Sequence, residues 1–201
     1  MMSSNSLRKV ILALMLVVIF GSLAAVGWAR VRDNWRSTKS DQGEYLSLGL
    51  AIRAGTALTD GNRHPLYPAL LALFAEREWA YFTKAKILSL AIGLAGLGAI
   101  YGMCHTGFSQ DVALLTVLLL SVSDQFRRHS SMVMCEALLT LLFFAAWYFT
   151  IEGFSKERYW ILGGILAGLA QLTKGSGQLF AIAFLLSLLF LYGPRVLTQK
   201  G

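Results

Sequence analysis

Charge is scarce in this 201-residue chain. Only 14% of residues are Asp, Glu, Lys or Arg, against roughly 25% in an average soluble domain. Proline is scarcer still, with three, and there are two cysteines and three histidines. Two cysteines cannot build a disulfide scaffold, and neither Cys104 nor Cys135 stands in a CxxC spacing. Both read as small buried apolar residues. His64, His105 and His129 form no HxxxH or HExxH pattern, which argues against a dedicated zinc site. The chain has no phosphate-cradling glycine loop: Lys174-Gly-Ser-Gly177 lacks the first glycine and the spacing of one. It has no nucleic-acid motif, no internal repeat and no lipidation motif.

What is abundant is apolar sequence: 56% of residues are hydrophobic and mean hydropathy is +0.58. These residues fall into runs. Uncharged stretches cover Val10–Ala29 (20 residues), Ile87–Cys104 (18), Val112–Ser123 (12), Tyr159–Thr173 (15) and Gly175–Pro194 (20). Between His129 and Glu152 lie 22 residues interrupted only by Glu136. A bilayer core of about 30 Å takes about 20 helical residues. The sequence therefore predicts an all-α membrane protein of about six transmembrane helices, a single domain over residues 1–201. The third and fifth runs are short for a full crossing. The first run is longer than a leader's 7–15 residue apolar core and lacks a small-x-small site before Arg30, so it reads as a retained anchor. Gly164 and Gly168 form a small-xxx-small pair that suits close helix packing.

One long polar stretch, residues 30–86, separates the first two runs. Tyr45, Leu48 and Ile52 recur there at helical spacing, so Glu44–Arg53 reads as an amphipathic interfacial helix. Asp60-Gly61-Asn62 marks a turn, and Pro68 opens a second short helix to Phe74. The net charge is +7, and its basic residues border apolar runs, which fits anionic membrane lipid better than nucleic acid. Six basic residues fall on the side of the termini and twelve on the side of the long loop. A plain positive-inside count places that loop in the cytoplasm, although its length is near the limit where charge stops counting.

The polar residues on the long-loop side are the candidates for chemistry. Asp41 and Asp124 supply carboxylates; Arg63, Arg127, Arg128 and Lys174 supply cations, with His64 beside Arg63. Carboxylate and cation together suit an acceptor proton and an anionic lipid headgroup. Residues that merely snorkel to lipid phosphates would give the same composition. Asp41, Glu44 and Asp124 are the oxygen ligands available to Mg2+ or Mn2+. Glu136, seven residues into an apolar run, calls for a partner among Arg127, Arg128, His129 and Lys174, which makes it a structural ion pair.

In order along the chain stand Asp41-x-x-x-Tyr45, Asn62-Arg-His-Pro-Leu-Tyr-Pro68, Glu136-Ala-Leu-Leu-Thr-Leu-Leu142 and Gly164-Ile-Leu-Ala-Gly-Leu-Ala-Gln-Leu-Thr-Lys-Gly175. This series resembles the N-terminal membrane module of GT-C glycosyltransferases, in the branch of protein O-mannosyltransferases and aminoarabinose transferases. The resemblance implies transfer of a sugar from a polyprenyl-phosphate carrier on the non-cytoplasmic side of a plasma (inner) membrane, by a multi-pass protein. It implies that Asp41 is the catalytic acid of the first external loop and Asp124 a second acid. It also implies that Arg63, with His64, meets the carrier phosphate, and it places the long loop outside, against the charge count. Two features depart from the family. Asp41 is followed by Gln42 where many members have Glu, and members are usually at least twice this length. A fragment is one expectation from that length. The other is a non-catalytic membrane subunit that keeps the fold within a larger complex.

Overall fold

A computed structural model describes residues 4–33 and 41–193. Nine α-helices and a 3-10 turn make up the described residues, with no strand among them. The helices are α1 (Ser4–Arg32), α2 (Asp41–Arg53), α3 (Leu66–Ala72), α4 (Trp79–Gly107), α5 (Gln110–Val122), α6 (Asp124–His129), α7 (Glu136–Gly153), α8 (Arg158–Thr173) and α9 (Gln178–Tyr192), with the turn at Gly175–Gly177.

Among the described residues, three helices are long and apolar enough to cross a membrane: Ser6–Arg32, Trp79–Gly107 and Glu136–Gly153. By length and composition, three of the six expected crossings are supported. Helices α5, α8 and α9 have 13, 16 and 15 residues, or roughly 20 to 24 Å at 1.5 Å per residue. Helix α5 stops because Ser123 turns extended and caps α6, its hydroxyl accepting from the Phe126 amide at 3.5 Å. Large apolar side chains such as Val17, Val18, Leu119 and Ile161 point outward, as expected where lipid replaces water as the solvent.

Helix α4 is the centre of the bundle and touches α1, α5 and α7. Gly27 of α1 meets Leu90, while Ile19 and Leu23 cluster with Leu97 and Ile100, so α1 and α4 run antiparallel. Helices α4 and α7 run parallel, since Gly96 lies on Leu141 and Gly107 on Ile151. Gly153 against Trp160 and Gly163 against Thr150 make α7 and α8 antiparallel. The C-terminal ends of α1 and α8 and the starts of α4 and α7 therefore share one end of the bundle. Helices α2 and α3 cap that end, with Tyr45, Tyr67, Leu71, Tyr81, Phe82 and Val133 in one buried cluster.

Two sequence expectations are corrected here. Gly164 and Gly168 face open space, and the close contact falls on Gly163, where an added Cβ would lie 2.7 Å from the Thr150 hydroxyl oxygen. The register of α8, which no local pattern reveals, decides which glycine packs. The apolar run after His129 is not one helix from its start. Residues 130–135 fold under α2, where the Val133 amide donates to Gln42 Oε1 at 2.9 Å. Helix α7 begins only at Glu136, which therefore stands at a helix N-terminus, where the dipole favours a carboxylate, at the start of a candidate span and not in its interior.

Candidate functional site

The turn before α3 builds the first site. Gly61 has φ +82°, a conformation natural to glycine. It lets Asp60 Oδ1 accept from the backbone amides of Asn62 at 2.9 Å and Arg63 at 2.7 Å. These amides, with the Arg63 guanidinium, hold the Asp60 carboxyl down at about 2. Arg63 is only 12% exposed and reaches Asp60 Oδ2 at 2.6 Å, Asp41 Oδ1 at 2.8 Å and Glu44 Oε2 at 3.7 Å. Its guanidinium also lies over the Tyr45 ring, 5.3 Å from the centroid. One planar fork thus gathers three carboxylates, which a lysine could not arrange.

Asp41 is the first residue of α2 and stays 65% exposed. Its second oxygen makes no hydrogen bond to any described residue. Across the cleft, Lys174 at the end of α8 donates to Glu136 Oε1 at 2.8 Å. That bond raises the Lys174 pKa. Below them the Tyr45 hydroxyl donates to Cys135 Sγ at 3.0 Å. Burial, reinforced by that bond, pushes the Tyr45 hydroxyl far above its ordinary value, so it remains a proton donor. Asp41, Asn62, Arg63, His64, Glu136 and Lys174 line a cavity of about 180 Å³. Two carboxylates, Asp41 and Glu136, line it with the cations Arg63 and Lys174, and Glu44 and Asp60 pair with Arg63 at its edge, so carboxylates in and around the site outnumber cations by two. An exposed carboxylate held in place by an arginine is suited to taking a proton from a hydroxyl or an amine.

A second cavity, about 300 Å³, opens beside the first and is lined by Arg30, Asp33, Gln42, Lys86, Arg128, Ser131 and Met132. Asp124 pairs with Arg30 and, at 3.8 Å, with Arg128. The hydrogen bond from the Arg30 guanidinium holds the Asp124 carboxyl below its usual value. Lys86, 5% exposed, donates to the carbonyls of Arg30 at 2.9 Å and Asp33 at 3.1 Å and so closes the C-terminal end of α1.

The residues singled out in the sequence are therefore divided. Asp41, Arg63, His64, Glu136 and Lys174 line one cavity, with Glu44 paired at its edge; Arg128 lines the other, with Asp124 as its ion-pair partner. Arg127 lines neither and donates from Nε to the Ser121 carbonyl at the end of α5. Of the oxygen ligands available to a divalent cation, Asp41 and Glu44 pair with Arg63 and Asp124 pairs with Arg30. Among the described residues no group of three His, Cys, Asp or Glu side chains converges as a metal site. Sequence reasoning passed over Arg30, Gln42 and Lys86. The available signal was Lys86 itself, a cation two turns inside a long apolar helix.

A family model described as dolichyl-phosphate-mannose-protein mannosyltransferase matches residues 62–201. The chain belongs to that family. Membership makes this mannosyltransferase-family chain a GT-C-type glycosyltransferase module, consistent with its apolar helices. The matched segment holds Arg63, His64, Lys86, Asp124, Arg128, Glu136 and Lys174. Asp41, Glu44 and Tyr45 lie outside it, so their place in the site rests on geometry. No curated protein and no solved structure gives a significant match to the chain.

Proposed function

We propose that this module transfers a sugar from a polyprenyl-phosphate carrier to an acceptor hydroxyl or amine on the non-cytoplasmic side of the plasma (inner) membrane. Six apolar helices would then sit in the bilayer, three as full crossings and three short ones completed by polar flanks. The acceptor oxygen or nitrogen attacks the sugar C1. The C1–oxygen bond to the carrier phosphate breaks with inversion, and the phosphate leaves with the electron pair. The acceptor proton passes to the Asp41 carboxylate. Arg63 and Lys174 face the phosphate charge as it develops, a form of stabilisation that grows toward the transition state.

The observation that carries this reading is the exposed Asp41 carboxylate held at 2.8 Å by a nearly buried Arg63, in the cavity that also holds the family-segment residues Glu136 and Lys174. The chain reconstituted in proteoliposomes with polyprenyl-phosphate mannose and a hydroxyl acceptor tests it. Asp41→Asn keeps the size and one hydrogen-bond acceptor but cannot take the proton. Transfer is expected to fall about 100-fold or more, the usual contribution of a positioned base, with unchanged helix content. Full activity in the Asn variant removes Asp41 from the chemistry.

A further inference from the structure

We infer that the cavity between Arg30, Lys86 and Arg128 is a second anion site, one that takes a phosphate group separately from the Asp41–Arg63 site. Three cations and one carboxylate, Asp33, line it, and Asp124 pairs with two of those cations, so the balance is positive where the neighbouring cavity and its edge are negative. Lys86 is the group that matters most. Its ammonium is buried in the bundle and has three N–H donors. Two go to the Arg30 and Asp33 carbonyls, and the ammonium lies over the Phe82 ring, 5.0 Å from its centroid; the Asp33 carboxylate lines the same cavity and acts on it through space. A buried ammonium whose hydrogen bonds go to neutral carbonyls is costly, and an anion in the cavity it lines offsets that cost. Arg30 and Arg128 flank the same space and are already drawn together around the Asp124 carboxylate. Each guanidinium retains donors that a phosphate oxygen can share or take over. The cavity volume, about 300 Å³, accommodates a phosphate monoester.

The phosphate could arrive free or as the headgroup of a membrane amphiphile, since an apolar groove along Ile11, Met15, Val18 and Leu118 runs on α1 and α5, and α1 also carries Arg30 of the cavity. Calorimetric titration of the full chain in detergent separates the two, with inorganic phosphate as one probe and dihexanoyl phosphatidic acid as the other. At least one probe is expected to saturate at one site per chain, and the tighter one names the source. Arg128→Gln and Arg30→Gln should each weaken it about tenfold, the loss typical of one charge-assisted hydrogen bond. Lys86→Met should abolish it; circular dichroism shows whether that variant keeps its helices, and the two arginine variants decide the matter if it does not. Arg63→Gln should leave the affinity unchanged. Absence of saturable binding by both probes overturns the site. So does binding that survives Arg30→Gln and Arg128→Gln, or that is lost in Arg63→Gln. Failure of Asp41→Asn to reduce transfer would leave this site standing, because the two cavities share no lining residue.

Discussion

At the scale of single residues, Asp60 and Arg63 set the geometry of the acidic cavity. The Asp60 carboxyl lies at about 2 in the fold and near 3.9 in an unfolded chain. A lowered folded-state value means that the ionised form supports the turn. That support is complete above about pH 4 and is lost as the pH falls through about 2. The amides of Asn62 and Arg63 should therefore exchange slowly at pH 5 and lose protection, after correction for intrinsic exchange rate, between pH 4 and 2. In Asp60→Asn their protection should be lower at pH 5 and flat over that interval; an unchanged profile removes Asp60 from the turn's support. This turn was legible in Asp60-Gly61-Asn62, because turn chemistry is local. The pairing of Arg63 with Asp41 was accessible from charge type. The pairing of Arg30 with Asp124 was not, since 94 residues separate them and only the antiparallel packing of the bundle brings them together.

At the scale of helices, apolar runs reported composition well and helix boundaries less well. The runs at Val10, Ile87 and Val112 became α1, α4 and α5. The run after His129 did not become a helix until Glu136, because Gln42 takes the Val133 amide and holds residues 130–135 in another path. Composition along one chain cannot show that a side chain 91 residues away competes for a backbone hydrogen bond. Glycine roles follow the same logic. A Cβ added at Gly93 would lie 2.4 Å from Ser130 Cβ and 3.1 Å from its Cα, so α4 and this segment must separate to admit it. Gly93→Ala should destabilise the chain by about 1–3 kcal/mol, the usual cost of overpacking. Gly164→Ala meets nothing within 4 Å and should be neutral or stabilising by up to about 1 kcal/mol through helix propensity. Thermal unfolding of both variants in one detergent gives the comparison, and equal shifts would mean that the α4 contact is slack.

At the scale of the whole molecule, the cap formed by α2 decides how the two cavities relate. Asp41 and Tyr45 line the acidic one and Gln42 lines the cationic one, so one short helix is a wall of both. It is docked by the Gln42 bond to the Val133 amide, the Tyr45 bond to Cys135 and the Tyr81 hydroxyl on the Leu46 carbonyl at 3.3 Å. Gln42 is 3% exposed, so Gln42→Ala strands a buried amide and should cost about 1–3 kcal/mol. Its functional effect should differ in kind from that of the single-site variants. Asp41→Asn should reduce transfer and leave phosphate binding intact, and Arg128→Gln should do the reverse. Gln42→Ala should lower both together, with faster hydrogen exchange at Val133 as the structural readout. Loss of only one of the two functions would mean that α2 keeps its place without this bond, and that the cavities are held from opposite sides by the long helices instead.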